Sequence, residues 1–151
     1  MNTNVYCRPF DDLEQKRILE EAVAASKVFL WANARLISLF ASEVVLAEIL
    51  LIDNIYKKDA VEYLISNLPI QNIRMDKKII SLADKLFAKR IIDDYMDVLH
   101  ISSAAIGNAE YFLTCDDEIL QKADKFTEFL KNEKITLIIE NPLQFVKDKE
   151  V

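Results

Sequence analysis

The segment DVLHISSAAIGNAEYFLTCDD, residues 97–117, decides the fold class because it joins a helical pattern to a buried strand. Its first half carries small and apolar residues, Ile101 and Ala104 among them, which predict a helix face packed on a sheet. Gly107, the only glycine of the chain, predicts the end of that helix. The apolar run 111–114 then predicts a strand, so the segment is one helix–strand unit of an α/β domain.

Short apolar runs and longer helical patterns alternate along the rest of the chain in the same way. Helices are predicted over about residues 11–34, 44–52, 58–66, 77–90, 93–107 and 118–131, with a short terminal helix from Pro142. Strands are predicted over about residues 36–40, 72–74, 111–114 and 135–139. Because strands alternate with helices, we expect an α/β fold with a mainly parallel β-sheet flanked by α-helices. No repeat or flexible linker interrupts the pattern, so a single domain over residues 1–151 is expected.

The expected sheet also indicates where a functional site would lie. In open α/β sheets, ligands bind in the crevice beyond the carboxyl ends of the strands. The residues to examine are therefore those that follow the strands, namely 2–4, Ser42 onward and 114–117.

The amino-acid composition excludes several classes of functional site. The chain has 151 residues and a formal net charge of −6, which argues against general electrostatic binding of nucleic acid. One glycine cannot build the glycine-rich loops that bind nucleotide phosphates. His100, Cys7 and Cys115 are too few for a zinc site based on histidine and cysteine. Any bound metal ion would have to be held by carboxylates.

The cysteine content and the hydropathy indicate in which cellular compartment the protein is expected. Cys7 and Cys115 form no disulfide framework of the kind found in small secreted domains, so we expect a cytoplasmic protein. No run approaches the roughly 18 apolar residues of a membrane span. Residues 1–12 lack the basic and apolar regions of a signal peptide. We therefore expect no membrane partner.

Glu48 stands in an unusual position for a carboxylate. In a helix its neighbours one turn away are Val44, Val45, Leu51 and Ile52, and all four are apolar. Placing a charged carboxylate on an apolar face is costly unless it is paired or bound to a metal ion. Two interpretations stay open: a paired or metal-bound Glu48, or a Glu48 at the edge of the apolar stripe whose carboxylate reaches water.

Three aspartates lie in the segment that decides the fold. Asp97 is too far inside its helix to cap it, and by itself it is more typical of a solvated charge. His100, one turn later, is expected to be a structural hydrogen-bonding residue rather than a ligand or a base. Asp116 and Asp117 lie between a strand and a helix, so we expect one of them to be the N-cap of that helix. The functional interpretation requires the other to face the crevice.

Four segments taken together resemble the ordered motifs of the PIN-domain family. They are NTNVYCRPFDD (2–12), SEVVLAE (42–48), DVLHI (97–101) and YFLTCDD (111–117). The closing IIENPLQFV (138–146) is similar to the last strand and helix of that family. The resemblance implies a mainly parallel sheet flanked by helices. It also implies metal-dependent endonucleolytic cleavage of RNA, commonly by the VapC-type toxin of a toxin–antitoxin pair.

The resemblance also implies which residues form the site and what they bind. The acidic site would comprise position 2, Glu48, Asp97 and Asp116, supported by Asn4, Thr114 and Asp117. Oxygen ligands of this kind suit Mg²⁺ or Mn²⁺. Such an ion can activate water and stabilise the charge that develops on a phosphate. The implied partners are an RNA substrate, a cognate antitoxin and a second copy of the chain in a homodimer.

Two features depart from the family pattern. The family places an aspartate at the end of its first, central strand, whereas Asn2 stands here with a neutral amide. Only Met1 precedes Asn2, so a short or truncated first strand is expected. Asn2 suggests an alternative function, that of a catalytically silent PIN module that binds RNA or a partner protein. An unrelated acidic α/β domain is the third interpretation.

A group of basic residues gives a candidate contact with RNA. Lys78, Lys85 and Lys89 fall on one face of the helix predicted over 77–90. Such a stripe could hold RNA phosphates. The alternative is an ordinary solvated face opposite the apolar side of that helix, and this interpretation is favoured.

Overall fold

Helices and short strands alternate along residues 1–150, the part of the chain that the computed structural model describes. The helices are α1 (Thr3–Cys7), α2 (Lys16–Asn33), α3 (Glu43–Leu50), α4 (Ile55–Asn67), α5 (Lys77–Ala88), α6 (Tyr95–Ile106), α7 (Asp117–Gln121), α8 (Ala123–Asn132) and α9 (Pro142–Lys149). The strands are β1 (Leu39–Ser42), β2 (Ile70–Ile73), β3 (Tyr111–Leu113) and β4 (Ile138–Glu140). A 3₁₀ turn at Arg8–Phe10 follows α1.

The four strands pair in parallel and form two sheets of two strands each. Leu39 of β1 lies opposite Ile70 of β2, and Tyr111 of β3 lies opposite Ile138 of β4. Parallel neighbours need long crossover connections. Helices α3 and α4 supply the first crossover, and α7 and α8 supply the second. The predicted α/β class with parallel strands flanked by helices is confirmed, although the strands form two small sheets.

A cavity of about 600 Å³ lies between the two sheets. It is lined on one side by Leu39 and Phe40 of β1, and on the other by Tyr111 and Phe112 of β3. Within residues 1–150, β1 and β3 each pair with a single neighbouring strand.

Two hydrophobic cores pack around the sheets. The first core surrounds α1, α2 and β1, where Tyr6 stacks on Phe29 with ring centroids 5.9 Å apart. The second core lies between α6, α8 and the β3–β4 sheet and includes the fully buried Ile101. Phe112 belongs to the second core and Leu113 to the first. Strand β3 separates the cores because successive side chains of a strand point to opposite faces.

The first residues form a helix where the sequence predicted a short strand. Asn2 has an extended backbone (φ −68°, ψ 153°) and is the N-cap of α1. Its N–H donates to the carbonyl of Leu113 at the end of β3 over 2.9 Å. The predicted first strand is thus reduced to a single extended residue. The chain nevertheless brings Asn2 to the carboxyl end of β3.

Several element boundaries also differ from the prediction. Helix α2 begins at Lys16 rather than near residue 11, because the two aspartates before it serve the preceding turn. Asp11 accepts from Arg8 over 3.0 Å, and Asp12 accepts from the N–H of Glu14 over 3.1 Å. Their side chains therefore cannot cap α2.

Two later boundaries are shifted as well. The helix predicted over 118–131 is divided at Lys122 into α7 and α8. The first buried strand lies at 39–42 rather than 36–40. Apolar runs predict that a strand exists but do not fix its ends, because the apolar residues Leu36 and Ile37 before β1 extend the same run.

Gly107 ends α6 as predicted, but for a steric reason. Its φ is −73°, so its backbone does not need the left-handed region; the following Asn108 adopts that region instead (φ 56°). A Cβ at Gly107 would lie 2.5 Å from Cδ1 of Ile73 and 2.9 Å from the carbonyl oxygen of Ser103. The glycine lets the end of α6 approach β2 closely.

Among residues 1–150, no helix is both long enough and apolar enough to cross a membrane.

Candidate metal-binding site

The N-terminal turn and the loop after β3 meet at the hydroxyl of Thr114. This buried oxygen accepts from Nδ2 of Asn2 over 3.1 Å and from Nδ2 of Asn4 over 3.4 Å. It also accepts from the N–H of Asp116 over 3.1 Å. Asn4 makes a second hydrogen bond to the same loop, in which its Oδ1 accepts from the N–H of Cys115 over 3.1 Å. The sequence-predicted residues 2, 4, 114 and 116 therefore lie together.

Asn2 is oriented by this arrangement. Its side chain is buried at 5% exposure, and its amide nitrogen faces Thr114. The amide oxygen, Oδ1, accepts none of the hydrogen bonds described for residues 1–150. Asn2 therefore presents a neutral oxygen at the position where the sequence analysis expected the first acidic residue of the site.

Asp116 is the N-cap of α7. Its Oδ1 accepts from the N–H of Glu118 over 2.8 Å and from the N–H of Ile119 over 3.1 Å. These bonds hold the carboxylate in place at a helix N-terminus, where a negative charge is favoured. They occupy Oδ1, whereas Oδ2 accepts none of the hydrogen bonds found within residues 1–150.

Asp117 turns away from Thr114 and binds Arg17 of α2. The two Arg17 nitrogens lie 2.7 and 2.5 Å from the Asp117 oxygens, and the Asp117 side chain is 60% exposed. The sequence analysis was therefore right that one acid of this pair caps a helix. The other forms a surface ion pair and does not face the crevice.

Glu48 lies on α3 and is held by two donors from other elements. The hydroxyl of Thr3 donates to Glu48 Oε2, and Nε2 of His100 lies 2.8 Å from the same oxygen. The Glu48 side chain is 28% exposed. Of the two interpretations left open by the sequence, the structure shows the paired one, although part of the carboxylate still reaches the surface.

His100 acts as a hydrogen-bonding residue, as predicted. It is buried at 2% exposure and packs near Phe112, with ring centroids 6.4 Å apart. Its Nδ1 is buried and has no partner within residues 1–150. A hydrogen on Nδ1 would be left without an acceptor, which is costly. The tautomer with its hydrogen on Nε2, donated to Glu48, fits this environment.

Asp97 has a different environment, although it also lies beside the other acids. Burial raises the pKa of its carboxyl to about 7, and the negative charges of Asp94, Asp116, Glu48 and Glu118 add to the rise. Within residues 1–150, no side chain donates a hydrogen bond to this carboxylate and no cation pairs with it. Asp97 is the carboxylate with the raised pKa that a cluster of acids without a cation predicts.

The pKa of Glu48 moves the other way. Burial alone would raise it, but the hydrogen bond and the electrostatic attraction of His100, together with the hydrogen bond from Thr3, lower the pKa below its usual value. A hydrogen bond to the charged form stabilises that form. Glu48 is therefore ionised at neutral pH.

The acids are close enough for their charges to repel one another, but their side chains do not point at one common position. In the described part of the chain, no three His, Cys, Asp or Glu side chains are placed to hold one metal ion together. The donor chemistry fits a hard divalent cation, because the oxygens of Asp97, one oxygen each of Glu48 and Asp116, and Oδ1 of Asn2 remain uncommitted. Asp97 supports this fit, because its carboxylate lies among other acids and has no cationic partner within residues 1–150.

The predicted basic stripe is only partly available. Lys78, Lys85 and Lys89 are all exposed at α5 and its C-cap. Nζ of Lys85 lies 3.0 Å from an oxygen of Glu133, so its charge is already paired.

The sequence analysis missed Glu21, a carboxylate buried at 1% exposure on α2. Arg8 and Arg17 lie 2.8 and 3.1 Å from its oxygens, and Asn141 donates to it over 2.8 Å. Through Arg17, this group ties α2 to Asp117 and hence to the loop that carries Asp116. The signal was present in the sequence, since small residues follow Glu21 at helical spacing and Arg17 precedes it by one turn.

The structure is an α/β domain in which acidic side chains from α3, α6 and the loop after β3 lie near one another. The PIN domain family model matches residues 3–125, and the chain belongs to the PIN-domain family. PIN domains are in general nucleases that act on RNA and use divalent metal ions. No curated protein and no solved structure matches the chain.

Proposed function

We propose that this chain is an endoribonuclease that depends on Mg²⁺ or Mn²⁺, folded as a single PIN domain over residues 1–151. The observation that carries the proposal is Asp97, a half-buried carboxylate that is repelled by Glu48 and Asp116 and has no cationic partner within residues 1–150. A divalent cation would relieve this repulsion. It is the chemistry that the family membership leads us to expect.

Each residue then has a distinct role. Asp97 and Asp116 hold the cation, Glu48 completes the set or orients the attacking water, and Asn2 adds a weak neutral ligand. The bound ion supplies a water of lowered pKa and a positive charge for the phosphate. Thr114 and Asn4 keep the N-terminal turn against the loop that carries Asp116, which fixes Asn2 and Asp116 relative to each other.

The biological role that we propose is the toxin of a toxin–antitoxin pair. A homodimer and a cognate antitoxin would cover apolar side chains that α3, α4 and the turn between them leave exposed. Leu50, Leu51, Tyr56 and Tyr63 are between 63% and 85% exposed. Exposed apolar groups of this size are typical of protein interaction surfaces. RNA phosphates would contact Lys78 and Lys89, and Lys85 when its pair with Glu133 opens.

The test is cleavage of single-stranded RNA by the purified protein. We expect cleavage with Mn²⁺, none after chelation, and a loss of at least about 100-fold in rate for Asp97→Asn. Asp59→Asn is a matched control, because Asp59 is an exposed acid on α4 that makes none of the described contacts. Equal loss in both variants would contradict a specific role for Asp97.

The alternative is a catalytically silent PIN module that binds RNA or a partner protein. Asn2 favours it, because a neutral amide replaces one of the charges that hold the cation. In this case the protein would bind single-stranded RNA with or without Mn²⁺ and would leave it intact. Cleavage that is lost in Asp97→Asn excludes the alternative.

A further inference from the structure

Oxygen Oε2 of Glu48 is the meeting point of three elements. Glu48 itself is on α3, Thr3 donates to it from the first residue of α1, and His100 contacts it from α6. The second oxygen, Oε1, accepts none of the described hydrogen bonds. We propose that Thr3 and His100 are positioning residues that fix Oε2 and so direct Oε1 of Glu48 to the cation. This inference rests on the proposed function.

His100 links Glu48 to the most perturbed acid of the site. It follows Asp97 by three residues on α6, so both side chains lie on the same side of the helix. The ring is buried and packs near Phe112 of the second core. One turn of α6 therefore supplies the Asp97 carboxylate and also the donor that sets the distance from Asp97 to Glu48.

Thr3 links Glu48 to the opposite side of the site. It is buried at 8% exposure and directly follows Asn2, whose amide is fixed against Thr114. Its hydroxyl has Glu48 Oε2 as its acceptor. Together the two donors connect Glu48 to both Asn2 and Asp97. Without them, a glutamate that is 28% exposed could turn its carboxylate toward water.

Removing a residue that hydrogen-bonds to a metal ligand commonly weakens metal binding by about 10- to 100-fold. The test measures Mn²⁺ affinity by the electron paramagnetic resonance signal of free Mn²⁺, together with thermal unfolding of the metal-free protein. Thr3→Val removes the hydroxyl and keeps the shape, and Thr3→Ser keeps the hydroxyl. His100→Leu removes the donor, and His100→Gln returns an N–H to nearly the same place.

We expect Thr3→Val and His100→Leu each to weaken Mn²⁺ binding by about tenfold. Thr3→Ser and His100→Gln should return the affinity to within about threefold of the original protein. Ser102→Ala is the matched control, because Ser102 is a fully buried residue of α6 whose hydroxyl has no partner within residues 1–150. It should leave the Mn²⁺ affinity unchanged even if it changes the melting temperature.

Three outcomes overturn the inference. If Thr3→Val and His100→Leu bind Mn²⁺ as tightly as the original protein, the positioning role is wrong while the proposed function stands. If Thr3→Ser and His100→Gln fail to restore affinity, or Ser102→Ala loses as much, the effect is one of general packing. If the original protein itself binds no Mn²⁺, the proposed function fails and the inference fails with it. Should His100→Leu not fold, the two Thr3 variants decide the question alone, since they change a single methyl or hydroxyl group.

Discussion

Glu48 and Asp97 are two half-buried carboxylates of the same candidate site with opposite surroundings. Glu48 receives hydrogen bonds from Thr3 and His100, and its pKa is lowered despite burial. Asp97 is surrounded by other acids and has no donor within residues 1–150, and its pKa is raised to about 7. The comparison teaches that the partners of a carboxylate, rather than its depth, decide whether it stays ionised.

The two carboxylates also differ in what stabilises their charged forms. Glu48 is already stabilised as an anion by the protein itself. The pKa of Asp97 is raised to about 7, so its anion is less stable than that of an ordinary aspartate, and a nearby positive charge would stabilise it. If the proposed cation binds here, Glu48 is already ionised before it arrives, whereas Asp97 would gain its stabilisation from the cation.

The largest expected effect comes from removing the charge of Asp97. Asp97→Asn should weaken Mn²⁺ binding by at least about 100-fold, because a neutral amide replaces a charged carboxylate at contact distance from the cation. Mn²⁺ binding to the original protein near neutral pH should release protons, because Asp97 must ionise to bind the ion. Calorimetry in buffers of different ionisation enthalpy measures this release. Asp97→Asn should show none at this site.

The same variant should be more stable than the original protein when no metal is present. The folded pKa of Asp97 is raised from 3.8 to about 7, so between these values the folded state binds more protons than the unfolded state. The free energy of unfolding therefore falls as the pH rises through this window. A shift of this size corresponds to about 4 kcal/mol, which partial exposure reduces to about 2 kcal/mol. Urea unfolding should show the full gain for Asp97→Asn near pH 8 and a smaller gain near pH 5.

A carboxylate at position 2 would be a second acid that, like Asp97, is repelled by its acidic neighbours. Asn2→Asp should strengthen Mn²⁺ binding by about tenfold and raise nuclease activity, since it adds attraction to the ion at contact distance. It should destabilise the metal-free protein, because a further anion joins the others and the bond from Asn2 to Thr114 is lost. Asn33→Asp, at the exposed end of α2, controls for added charge alone. No change in either quantity would mean that residue 2 does not adjoin the acids.

The smallest effects on RNA binding are expected for the lysines of α5. Here a lysine in an ion pair can be compared with one that has none. Lys85 is paired with Glu133, whereas Lys78 makes no ion pair within residues 1–150. Lys78→Gln should raise KM for RNA by up to about threefold and reduce the salt dependence of binding by about one phosphate contact. Lys85→Gln should change KM less, because exposed ion pairs contribute only about 1 kcal/mol or less. Equal changes would show that the pair with Glu133 opens readily.

The sequence predicted those parts of the site that depend on local signals. Asp116 follows a strand and precedes a helix, and the structure makes it a cap. Glu48 lies among apolar neighbours, and the structure gives it partners. The identities of these partners could not be predicted, because Thr3 and His100 lie 45 and 52 residues away along the chain. Contacts at such separations are decided by packing and leave no periodic signal.

The fold shows the same division between local and long-range information. The parallel α/β class follows from the alternation of strands and helices, which each segment carries by itself. The arrangement of β1–β2 and β3–β4 as separate pairs depends on how the cores pack around α1 and α6. The steric role of Gly107 likewise depends on Ile73, a residue of another strand.

The separation of the molecule into two cores has a consequence for its fluctuations. Glu48 is on α3, beside the first core, while Asp97 and His100 are on α6, in the second. Regions with their own cores open locally with their own free energies, and hydrogen exchange reports each opening. The hydrogen bond between Glu48 and His100 spans the boundary. An ion held between Glu48 and Asp97 would act there as a clamp, slowing the exchange of backbone amides in both cores and making two units of local unfolding behave as one.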